Sequence, residues 1–73
     1  MQIRMTRIDP DRNMKRFYAI DLQRELFGQW ECVRSWGRIG SRGRCVKSMF
    51  RTQQEAAEEA DKWYRTKRRR GYM

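Results

Sequence analysis

The stretch Ser48-Met49-Phe50-Arg51-Thr52-Gln53-Gln54-Glu55-Ala56-Ala57-Glu58-Glu59-Ala60 decides the fold class, because the side-chain period changes inside it. Residues up to Phe50 suit a strand, and those after it repeat with the period of a helix. Thr52-Gln53-Gln54-Glu55 forms a capping box. In it the Thr52 hydroxyl accepts from the Glu55 amide while the Glu55 carboxylate reaches back to the Thr52 amide. A helix is expected from Gln53 to about Arg70, with Gly71 as its stop. Ala56, Ala60, Trp63 and Lys67 share one helical stripe, flanked by Ala57 and Tyr64, so small residues can approach a sheet while aromatics fill its edge. Glu55, Glu58, Glu59 and Asp61 occupy the first half and Lys62, Arg65, Lys67, Arg68, Arg69 and Arg70 the second, as the helix macrodipole favours.

Upstream, Gly40-Ser41-Arg42-Gly43 separates two runs of β-compatible residues and predicts a hairpin between strands near 30–38 and 44–51. A turn centred between residues 41 and 42 would set Trp36 opposite Lys47, Arg38 opposite Cys45 and Cys32 near Arg51. Tyr18, Ile20 and Leu22 recur at period two, which puts them on one face of a strand near 16–23 and turns Phe17, Ala19 and Asp21 the other way. Asp9-Pro10-Asp11-Arg12-Asn13 is turn-rich and links that strand to one near 3–8. Leu26 and Phe27 fall in the loop from Gln23 to Gln29. They are read as folding back over the core edge, with an exposed partner patch as the alternative. The sum is an α+β fold: a small antiparallel sheet of about four strands with one long C-terminal helix packed across it.

With 73 residues, of which 38% are hydrophobic, the chain is expected to form one domain over residues 1–73, too small for a deep catalytic pocket. No apolar run is long enough to span a bilayer or to act as a signal peptide, so a cytoplasmic protein without membrane attachment is expected. Cys32 and Cys45 lack metal-site spacing and company, so no metal or cofactor is expected and both thiols are read as free. Histidine is absent, and no Ser or Cys sits in a nucleophile motif; the chain is read as a binding protein and not an enzyme.

The 18 Lys+Arg exceed the 9 Asp+Glu to give a net charge of +9, which points to a polyanionic partner. From Arg34 to Arg51 the chain carries Arg34, Arg38, Arg42, Arg44, Lys47 and Arg51 and no acid. Guanidinium groups make forked hydrogen bonds to phosphate, so the arginine bias suits a phosphate backbone better than a lipid surface. Trp36-Gly37-Arg38 lies within this run. An indole can stack on a base or ribose, a neighbouring guanidinium can hold phosphate, and a glycine lets another backbone approach the strand. Taken alone, Trp36 reads more readily as a core or hairpin-stapling side chain than as a binding one.

The run Arg34-Ser35-Trp36-Gly37-Arg38-Ile39-Gly40 resembles the signature of the WGR domain, found in DNA-break-sensing poly(ADP-ribose) polymerases and in many bacterial proteins. The resemblance extends to Phe17-Tyr18-Ala19-Ile20-Asp21-Leu22, the glycine turn through Gly43, the strand ending at Phe50, the helix with Ala56 and Ala57, and the closing Lys67 to Gly71-Tyr72. It implies a small antiparallel sheet crossed by one long helix. In the polymerases the motif Trp packs on the sugar of a terminal nucleotide and the motif Arg makes interdomain contacts, roles that would fall on Trp36 and Arg38. The expected function is non-catalytic, sequence-independent nucleic-acid binding, of DNA first, with preference for ends or nicks. Trp36, Gly37, Arg38, Arg34, Arg42, Arg44 and Lys47 are the candidate contacts. The alternative is a protein interaction module that docks an acidic partner, with Leu26 and Phe27 among its anchors.

Overall fold

A computed structural model of the chain describes residues 1–73. Its elements are β1 (Gln2–Asp9), a single 3-10 turn (Pro10–Arg12), β2 (Met14–Arg24), β3 (Trp30–Arg38), β4 (Arg44–Phe50) and α1 (Gln53–Arg69). The strands form one antiparallel meander in chain order, and α1 packs across β2, β3 and β4. This is the expected α+β architecture. No helix is long and apolar enough to cross a membrane.

The two ends of α1 form as their residues dictate. At the N-terminus the Glu55 amide donates to Thr52 Oγ1 at 3.1 Å. The Glu55 carboxylate differs from expectation, accepting from the Thr52 hydroxyl at 3.1 Å rather than from its amide. At the C-terminus Gly71, with φ of 97°, closes a Schellman turn. Its amide donates to the Arg68 carbonyl and the Tyr72 amide to the Lys67 carbonyl, both at 3.1 Å. The chain then doubles back. Tyr72 is buried, and Met73 exchanges two 2.9 Å backbone hydrogen bonds with Thr6 of β1.

Tyr18, Ile20 and Leu22 face the helix as their period requires, and with Met5, Cys32, Ala56, Ala60 and Tyr72 they form the core. Ala56 and Ala60 are fully buried, because only a methyl group fits where the helix lies closest to the sheet. Trp30, Trp36, Phe50, Trp63 and Tyr64 pack around this centre half-buried. Phe17 points away from the helix, as expected, yet is only 5% exposed. The Arg4 guanidinium lies 4.7 Å from its ring centroid, and the β3–β4 connection folds over it at Gly43.

The β3–β4 register differs from the expected one. Trp36 pairs with Arg44, Ser35 with Cys45 and Cys32 with Ser48, so the connection is the wider Gly37–Gly43. The reason lies on the other side of β3. Arg38 stays paired with Arg16 of β2 and the Ile39 amide donates to the Lys15 carbonyl, which holds the end of β3 away from β4. The conclusion drawn for the cysteines survives the shift. Both are free, Cys32 buried and Cys45 exposed, and an odd register offset puts them on opposite faces of the sheet.

Leu26 and Phe27 do not fold over the core edge; they are 97% and 90% exposed. Their loop is a closed unit of its own. The Glu25 carboxylate accepts from the amides of Phe27 and Gln29 at 2.8 and 3.1 Å, and the Glu25 amide donates to the Gln29 carbonyl at 2.9 Å. So short a turn cannot carry its central side chains back to the sheet.

Candidate functional site

The antiparallel register stacks like residues across the sheet. Arg7 pairs with Arg16 and Arg16 with Arg38, a row of three guanidinium side chains on the helix side of β1, β2 and β3. The next row inward is Met5, Tyr18, Trp36 and Arg44. A basic margin thus borders an aromatic one where α1 ends, and the last turn of the helix adds Lys67, Arg68 and Arg69.

At this corner lies a cleft of about 510 Å³, lined by Arg12, Asn13, Met14, Arg16, Trp36, Gly37, Arg38, Lys67 and Tyr72. No acid lines it, and the nearest carboxylate partner is Asp9, 3.7 Å from Arg12. Arg16, Arg38 and Lys67 have no carboxylate partner. Lined by three unpaired cations and three apolar side chains, the cleft suits a ligand that is planar in one part and anionic in another.

Trp36 is held by stacking on Tyr18, with centroids 5.9 Å apart and ring planes 19° from parallel. The indole is half-buried, so it belongs to the packed core margin and to the cleft wall together. Gly37 meets the expectation of a close backbone approach, and the backbone is the chain's own: a Cβ built there would lie 2.7 Å from Gly43 Cα. Arg38 donates through its guanidinium to the Asn13 carbonyl at 3.2 Å and to Asn13 Oδ1 at 3.4 Å. It thereby ties the β1–β2 turn to the end of β3. Asn13 can present both acceptors because it adopts the left-handed conformation, φ 50°.

Lys67 arrives from the helix. Its ammonium lies 4.8 Å from the Tyr18 ring centroid and 5.7 Å from that of Tyr72, and Tyr18 and Tyr72 meet edge to face at 6.2 Å. Burial pushes the Lys67 pKa down, with Arg70 and Arg34 adding to the effect. A lysine so placed gains from an incoming anion. Burial pushes the Tyr18 hydroxyl up in spite of the bond it accepts from Arg34, and likewise raises the Cys32 thiol.

The remaining residues singled out in the sequence do not line the cleft. The Arg34 guanidinium donates to the Tyr18 hydroxyl at 3.1 Å and lies 4.0 Å from the Trp63 ring centroid and 5.7 Å from that of Trp36. Arg42 and Arg44 are exposed, Arg44 opposite Trp36 on β4 and Arg42 in the β3–β4 connection. Lys47 is on the opposite face of the sheet, 3.8 Å from Glu31. Arg12, Asn13, Met14, Arg16, Lys67 and Tyr72 were not foreseen as cleft residues. Pairing β2 with β3 so that Tyr18 meets Trp36 would have brought Arg16 beside Arg38, but no sequence pattern reports where the tail after Gly71 goes.

The WGR domain family profile matches this chain over residues 1–73. An uncharacterized protein of Sinorhizobium fredii, y4dW, is 41% identical over 66 residues, which cover 90% of this chain. The match spans 32% of that relative's length. No solved structure shows a significant match.

Proposed function

The chain belongs to the WGR domain family, and from that premise we propose that it is a non-catalytic nucleic-acid-binding module that grips DNA at its basic cleft. Trp36 stacks on a base or sugar, while Arg38, Arg16 and Lys67 contact phosphates. Arg42 and Arg44 extend the phosphate track beyond the cleft, and Arg34 holds the indole in position. The observation that carries the reading is the convergence on one acid-free cleft of a half-buried indole and three cations without carboxylate partners. Stacking and backbone contacts ignore base identity, so recognition depends on DNA structure, with ends and nicks favoured because they bare a terminal nucleotide to the indole.

The test uses one labelled sequence as single strand, blunt duplex, nicked duplex and closed circle, each at two salt concentrations. Binding that weakens with salt on every form, and is tighter on blunt and nicked duplex than on the circle, supports the proposal. Equal affinity for circle and ends removes the role given to Trp36. Failure of the folded protein to bind any form at low salt removes the whole reading.

A further inference from the structure

The two outer strands of the sheet are treated differently. The outward side of β1 is engaged by the chain's own terminus, through the paired hydrogen bonds of Thr6 with Met73. β4 has no such cover. None of its residues, Arg44–Phe50, makes a backbone bond on the side away from β3, none receives a side-chain bond, and all seven are exposed or half-buried.

Most devices that protect a sheet edge are absent from β4. It contains no proline or glycine. It pairs one to one with β3 from Trp36–Arg44 to Trp30–Phe50 without a bulge. Seven residues present roughly 23 Å of unpaired backbone. Lys47, the one lysine on the strand, leans inward across the sheet to Glu31 at 3.8 Å. Val46 and Met49 are 38% and 47% exposed, on opposite faces. The charge is of one sign: Arg42, Arg44, Lys47 and Arg51 flank or occupy the strand, and no acid occurs from Arg34 to Arg51.

We propose that β4 takes up an extended acidic segment of a protein partner as a fifth strand. Main-chain hydrogen bonds to β4 supply the affinity. Acidic side chains of the segment lie near Arg44 on the helix face of the sheet, and its apolar ones near Met49 on the other face, where Lys47 is already engaged by Glu31. A second copy of this chain fits poorly, since pairing β4 with itself brings together two strands of like charge with no acid between Arg34 and Arg51 to offset it. The cleft itself stays free, because no β4 residue lines it; Arg44 alone is shared with the phosphate track.

The probe is an end-blocked seven-residue peptide alternating glutamate and valine, compared with the same peptide N-methylated at every residue. N-methylation keeps every charge and side chain and removes the backbone donors. Backbone amide exchange by NMR is the readout. The parent peptide should slow exchange at alternate amides within residues 44–50 and leave those of β1 unchanged, and the N-methylated form should bind at least about tenfold more weakly. Arg44→Glu should weaken the parent peptide and strengthen a lysine-valine counterpart. Equal binding of the two peptides would reduce the effect to charge and overturn the proposal, as would perturbation confined to Trp36, Arg38 and Lys67. Protection of β4 amides without peptide, together with a doubled mass in solution, would give the edge to a second copy. None of these outcomes depends on whether DNA binds the cleft.

Discussion

Trp36 lies on Tyr18 and also walls the cleft, so its removal should act on stability and, on the proposed reading, on binding at once. Trp36→Ala should cost about 2 kcal/mol of stability, below the roughly 3 to 5 of a fully buried indole. Its loss of affinity, about 1 to 3 kcal/mol, should leave the salt dependence intact and shrink any preference for ends over circles. Thermal melts must first show that the variant is folded; an unfolded one leaves Trp36 a structural residue. Arginine variants should separate by what each guanidinium touches. Arg38→Ala and Arg16→Ala should each lower the slope of log K against log salt by about 1 on duplex DNA. Arg34→Ala should weaken binding with the slope unchanged, since its donors and faces are engaged by Tyr18, Trp36 and Trp63. A full unit lost from the slope in that variant would make Arg34 a phosphate contact instead.

The helix and the loops differ in how much the fold leans on them. Trp63 is half-buried and donates to Glu59 at 2.8 Å, so Trp63→Ala should cost about 2 to 3 kcal/mol, less than full burial would imply. Ala60→Leu should be comparably damaging for the opposite reason, because a larger side chain at a fully buried contact pushes helix from sheet, at about 1 to 3 kcal/mol. Leu26→Ser and Phe27→Ser should change the unfolding free energy, measured in urea, by less than about 0.5 kcal/mol in either direction, since neither side chain is buried. A larger loss would mean that these residues pack on something in solution.

Across the whole molecule the core is thin, with nine buried residues, so groups that cannot ionise in place govern its response to alkali. The Tyr18 and Cys32 pKa values are raised by burial above ordinary values of 10.0 and 9.0. Stability from both is complete below those unfolded-state values and is lost as pH rises through the folded ones. Lys67 works in the other direction. Its folded pKa lies below the ordinary 10.5, so its penalty is present at low pH and is relieved as pH rises from the folded value toward the unfolded one. Urea unfolding between about pH 8 and pH 11 should show a falling midpoint, steeper in Lys67→Met, which lacks the offsetting gain, and shallower in Tyr18→Phe. Thiol labelling offers a separate check on the same core. In the folded protein Cys45 should react at once, while Cys32 should be modified only on unfolding.

Local chemistry alone determined a good part of this protein. The capping box at Thr52, the period change after Phe50, the alternation of Tyr18, Ile20 and Leu22 and the glycine stop at Gly71 each act within a few residues, and the elements form where those signals lie. The three neighbours Trp36, Gly37 and Arg38 all line the cleft, as adjacent residues at one strand end can. Register and cleft were decided by tertiary structure. A turn residue limits how a hairpin closes but not how many pairs form. Here the hold of β2 on Arg38 and Ile39 left β3 and β4 to part at Trp36, which no pattern inside the hairpin encodes. Arg16 and Lys67 lie far from Trp36 in sequence and reach the cleft only through strand pairing and helix docking. Tyr72 and Met73 are set by the Schellman turn that folds the tail onto Tyr18 and β1. Contacts between distant segments depend on which surfaces bury best together, and that balance exists only once the sheet and helix have assembled.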